Sequence, residues 1–181
     1  MFAVGSPTLQ DGSVAVLFRP SIVPLIDAFR SLDILSEGYD IHVLEAPEQD
    51  LARYVEKDAA RAIVSDAMLL AFALSRQRGQ PLSHQAPRSR KGTLDEYCVL
   101  TLIGASENPD SELAFEAAAA LRIASLDFTL SLATDLLRRI DLGGLPLECP
   151  SLSEFRAIVS EGLITGSSAD CLEEPSSFKF Q

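Results

Sequence analysis

Ser13-Val14-Ala15-Val16-Leu17-Phe18, Tyr39-Asp40-Ile41-His42-Val43-Leu44 and Ala62-Ile63-Val64 are short apolar runs set between stretches of helical spacing, and their reading decides the fold. Each is too short for an ordinary helix and rich enough in Val, Ile or Phe to read as a buried strand. Between the first two, Ile22, Leu25, Ile26, Phe29, Leu32 and Leu35 recur at three- and four-residue intervals. Arg30, Asp33 and Glu37 fall on the other side of that helix, and Gly38 supplies its stop. Pro47-Glu48-Gln49-Asp50 opens a second helix that carries Leu51, Tyr54 and Val55 inward. From Asp66 a third helix runs through Met68, Leu69, Phe72 and Leu74 to Gly79. Strands alternating with helices predict an α/β fold with a mostly parallel sheet and right-handed βαβ crossovers.

Working outward, Asp95-Glu96-Tyr97-Cys98-Val99-Leu100-Thr101-Leu102-Ile103-Gly104 reads as a fourth, central strand, giving a sheet of four to five strands. Between it and Gly79 lies a loop holding Arg88, Arg90 and Lys91 just after Arg76 and Arg78, so 76–93 is the most basic part of the chain. Asn108-Pro109 then reads as a cap and first helical residue for a long helix over 109–141. Leu126 to Leu132 also alternates as a half-buried strand would, but Ile123, Leu126, Leu130, Ala133, Leu137 and Ile140 keep helical spacing over more residues. The longer pattern favours a helix with a kink near Ser125. Ser151 and Glu154 form a capping-box pair opening the last helix. The chain thus divides into an amino-terminal arm (1–12), one α/β domain (13–165) and a flexible acidic tail (166–181).

The 181 residues carry a net charge of −11, which argues against a phosphate backbone or an anionic membrane surface as partner. No apolar run reaches the roughly 18 residues of a membrane span. Met1-Phe2-Ala3-Val4 lacks the basic start and apolar core of a secretory signal, so a cytoplasmic location is expected. Cys98, Cys149 and Cys171 are odd in number and widely spaced, as fits free thiols in a reducing compartment.

No pattern calls for a metal or a cofactor. His42 and His84 have no Cys or carboxylate at ligand spacing and read as ordinary strand and loop residues. A glycine-rich phosphate loop and a nucleophile elbow are both missing. Glu45, Asp66 and Glu107 fall at the carboxyl ends of the expected strands, where carboxylates can do acid–base work, though solvated rim residues account for them more simply. The positive candidate is Arg19-Pro20-Ser21. There the amides of the first helix, the Ser21 hydroxyl and the Arg19 guanidinium would converge on a small anion. The plainer alternative makes Ser21 an ordinary cap and Arg19 a surface charge.

Pro24 to Arg30, Tyr39 to Glu45, Leu51 to Val55 and Ala62-Ile63-Val64-Ser65-Asp66 together resemble one lobe of the type II periplasmic-binding-protein fold, shared by solute receptors and LysR-type effector domains. The resemblance covers about 50 residues. It implies ligand binding by Ser21 at the start of the first helix and by Ser65 and Asp66 after the third strand.

The expected function is therefore a module that binds or senses a small anionic or amino-acid-like molecule, with catalysis not indicated. The alternative is a non-catalytic interaction protein that docks a partner, or a second copy of itself, through the basic loop and the 113–140 helix.

Overall fold

A computed structural model describes residues 15–38 and 40–167. Its order is β1 (Val16–Leu17), α1 (Val23–Gly38), a 3-10 turn (Ile41–Leu44), α2 (Glu45–Leu51), α3 (Lys57–Arg78), β2 (Lys91–Gly92), α4 (Leu94–Ala105), α5 (Glu112–Ala120), α6 (Leu126–Leu142) and α7 (Leu152–Ser167). The protein is mostly helical, and the sheet among the described residues is a single antiparallel ladder pairing Val16 with Gly92 and Leu17 with Lys91. This overturns the expected α/β fold with its parallel sheet, and with it the α/β lobe implied by the periplasmic-binding-protein resemblance.

Each misread strand has a physical reason. Ala62, Ile63 and Val64 lie inside α3, where Ala60, Ile63, Val64, Ala67, Leu70, Ala71 and Leu74 are buried at helical intervals. The flanking alanines and leucines favour helix strongly enough to carry two β-branched residues along. Residues 95–104 form α4, in which every residue from Cys98 to Ile103 is buried. A helix enclosed on all sides has no polar face, so its sequence carries no 3.6-residue stripe and imitates a buried strand. Residues 40–44 are too few to show a period; Asp40 caps a 3-10 turn there by accepting from the His42 amide at 3.0 Å. Tyr39 and residues 1–14 lie outside the described residues, as does the expected tail beyond Ser167.

The helix expected over 109–141 is two helices, broken at 121–125 where Arg122 takes φ +56°. Ser111, three residues beyond the expected Asn108 cap, accepts from the Ala114 amide and starts α5. The segment from Leu126 is helical, and Leu130, Ala133, Leu136 and Ile140 bury its inner stripe. Gly79, with φ +66°, closes α3 in a conformation that costs other residues dearly.

Helices α1, α2 and α3 pack on one another, α4 packs on α5 and α7, and α6 bridges α3 and α4. One continuous apolar core runs through both groups, with Leu25, Ile26, Leu70, Leu102, Ile103 and Leu136 fully enclosed. Burying each such side chain stabilises the fold by about 1.5–3 kcal/mol. No helix among the described residues is long and apolar enough to cross a membrane.

Candidate anion-binding cleft

Arg30 organises the loop between α3 and α4. The helical spacing of α1 put it on the solvent side; instead its side chain is 1% exposed. Its Nε donates to Glu96 Oε1 at 2.7 Å and its Nη2 to Glu96 Oε2 at 3.1 Å, a two-pronged bond between α1 and α4. Nη1 donates to Asp27 Oδ1 at 3.0 Å. Nη1 also reaches the carbonyls of Ala86 and Ser89, sharing its two hydrogens among three acceptors, and Nη2 reaches that of Lys91, all at 2.9–3.1 Å. A buried guanidinium is tolerated only when charge and donors are matched in this way.

Glu96 does three tasks at once. It closes the capping box of α4 with Thr93, accepting from the Thr93 amide at 2.9 Å while Thr93 Oγ1 accepts from the Glu96 amide. It also accepts from the Gln85 amide at 3.2 Å in addition to holding Arg30. Asp95, its neighbour, faces the other way: it pairs with Arg78 at 2.9 Å and accepts from the Ser83 amide. Both ends of the 80–93 loop are thereby fixed to the start of α4.

The anchored loop presents Arg88 and Arg90 to a cleft of about 300 Å³. Pro20, Val23, Pro24 and Asp27, at the amino-terminal end of α1, form one wall. Asp50, Arg53 and Tyr54, at the end of α2 and the turn after it, form another. Arg88 takes φ +63°, a conformation that costs a non-glycine residue about 1–2 kcal/mol. Its amide lies 3.0 Å from both Asp27 oxygens, which holds it there. Strain of this kind persists where surrounding structure enforces it, often at functional sites. Arg90 Nε donates to Phe18 O at 3.0 Å, and Phe18 N returns a bond to Arg90 O at 2.7 Å. Gly92 is needed beside this ladder, because a Cβ there would lie 2.4 Å from the Phe18 ring.

Within the cleft, three guanidiniums meet two carboxylates. Asp50 Oδ1 lies 3.3 Å from Arg53 Nη2, and Arg88 Nε donates to Asp50 Oδ2 at 3.1 Å, so one carboxylate bridges two arginines. Asp27 is occupied by Arg30 and the Arg88 amide, and burial pushes its carboxyl above the usual carboxylate range against their pull. Arg90 has no carboxylate partner among the described residues. The lining therefore keeps one net positive charge on a chain of net −11.

None of the four residues expected to bind ligand lines this cleft. Arg19 pairs with Glu148 at 2.5 Å on the rim of an apolar groove containing Phe18, Tyr97 and Leu147. Ser21 stands in the turn before α1, where Pro24 at the second helical position removes one of the amides an anion would need. Ser65 and Asp66 lie in the middle of α3, Ser65 beside a groove lined by Leu32, Met68 and Phe72, and Asp66 Oδ2 accepts from Arg139 Nε. Glu45 is taken by His42 at 2.6 Å, an exposed pair in which Glu45 raises the histidine pKa. Arg88 and Arg90 belong to the basic 76–93 loop already singled out by composition. Arg30, Glu96, Arg53 and Tyr54 were missed; Thr93-Leu94-Asp95-Glu96 is a capping-box signature that marks both α4 and the buried acid.

Among the described residues no cluster of three or more His, Cys, Asp or Glu is placed to hold a metal ion. No protein-family model, curated protein or solved structure matches the chain, so its function is to be argued from this geometry.

Proposed function

We propose that the protein is a binding or sensing module for a small anion, held in the cleft by Arg53, Arg88 and Arg90. The observation that carries this is the convergence of three guanidiniums from separate parts of the chain, two of them on a loop fixed by the buried Arg30 network. The volume of about 300 Å³ suits a small molecule rather than a polymer. Guanidinium forks match carboxylate and phosphate oxygens in pairs, and the Nη donors of Arg88 and Arg90 sit on groups whose Nε atoms are already anchored. A thermal-shift panel of small carboxylates, phosphates and sulfate tests this. A ligand at 100 times its dissociation constant adds about 2.7 kcal/mol of stability, a visible rise in melting temperature. The rise should be saturable and disappear in the Arg88→Ala/Arg90→Ala double variant; a flat response across the panel refutes it.

A second reading, docking of a protein partner on α5 and α6, is favoured by the exposed side chains of Phe115 and Phe128. Under that reading Phe128→Glu abolishes an assembly seen by sedimentation, while an unchanged sedimentation profile removes it.

A further inference from the structure

The walls of the cleft narrow the class of anion. The following rests on the anion-binding reading above. Asp50 bridges Arg53 and Arg88 with one oxygen toward each, but it takes only the Nε of Arg88, and Arg90 has no carboxylate partner among the described residues, so Arg88 and Arg90 are the pair left to receive a planar carboxylate. The charge of the lining is balanced by one negative charge; a dianion would leave the site overcompensated among the carboxylates of Asp27 and Asp50. The remaining lining carries apolar groups. Tyr54 is 47% exposed and its backbone amide donates to Leu51 O at 2.9 Å, so a half-exposed aromatic side chain lines the cleft from a fixed turn. Pro20 and Pro24 supply rigid rings to the same cleft, with Val23 beside them. A half-exposed tyrosine beside arginines gains an aromatic contact from a ligand that itself carries a ring.

We infer that the cleft takes an aromatic monocarboxylate, its carboxylate on Arg88 and Arg90 and its ring against Tyr54. The test is a calorimetric titration of the full chain with benzoate, acetate and inorganic phosphate at one ionic strength. Benzoate should bind about tenfold more tightly than acetate, the gain expected of one aromatic contact with its buried area. Tyr54→Ala should erase that preference, while Tyr54→Phe keeps it. Equal binding of benzoate and acetate, or tighter binding of phosphate than of benzoate, overturns the aromatic monocarboxylate and leaves the anion-binding reading standing. Failure of all three to bind overturns both.

Discussion

Replacing Arg30 by methionine keeps most of the side-chain volume and removes the guanidinium that joins α1 to Glu96 and to three carbonyls of the 80–93 loop, leaving the Asp27–Arg88 amide and Asp33–His84 contacts in place. Asp27 and Glu96 are then left as buried carboxylates without a cation, and three loop carbonyls lose a donor. Breaking a buried ion pair from one side costs about 3–5 kcal/mol. The loop carbonyls are only partly buried and recover water, so they add little to this. For a chain of this size, about 4 kcal/mol corresponds to a fall of roughly 8–16 °C in melting temperature. The deficit also has a sign with pH. Stranded carboxylates have native pKa values above their unfolded ones, so the native state gains protons first as pH falls. The gap between Arg30→Met and the wild type should therefore narrow from pH 7 to pH 5. Urea unfolding at both pH values measures it. A cost below about 1 kcal/mol at pH 7, or a gap that widens on acidification, would show that Arg30 is not the group holding the loop.

Asp50 competes with any external anion for Arg53 and Arg88, so Asp50→Asn should raise affinity for a small carboxylate severalfold in calorimetry; weaker binding would mean that Asp50 instead orders the arginines. His42 should titrate above the usual histidine value because Glu45 bonds its ring and Asp40 lies nearby, and Glu45→Gln should lower it toward that value in an NMR titration. With its folded pKa raised, the pair stabilises the fold fully below the unfolded histidine pKa, and the contribution is lost as pH rises through the folded one. Burial pushes the Cys98 thiol up to about 12, so iodoacetamide at pH 8 should label the exposed Cys149 and spare Cys98 until the protein is unfolded, as read by peptide mass spectrometry.

What could be read before folding was local. Helix α1, the Gly79 stop, the break before Ser125 and the Ser151–Glu154 cap all follow from spacing or side-chain chemistry within a few residues. What could not be read depends on enclosure by the rest of the chain. A helix such as α4, apolar all round, and a helix such as α3, carrying Ile63 and Val64, look like strands until their neighbours are in place. The site divides the same way. The basic character of 76–93 is visible in composition, whereas the burial of Arg30 is set by Glu96, 66 residues away. Arg53 and Tyr54 join the cleft only because α2 folds back against α1, and no local signal marks them.

The most direct test of the central claim is an amide NMR titration of the full chain with benzoate. Binding in the cleft predicts saturable shifts confined to residues 20–27, 50–54 and 86–91, lost in Arg88→Ala/Arg90→Ala. Saturable shifts centred instead on Arg19 and Glu148 or on Ser65 and Asp66, or no saturable shift at all, would contradict it.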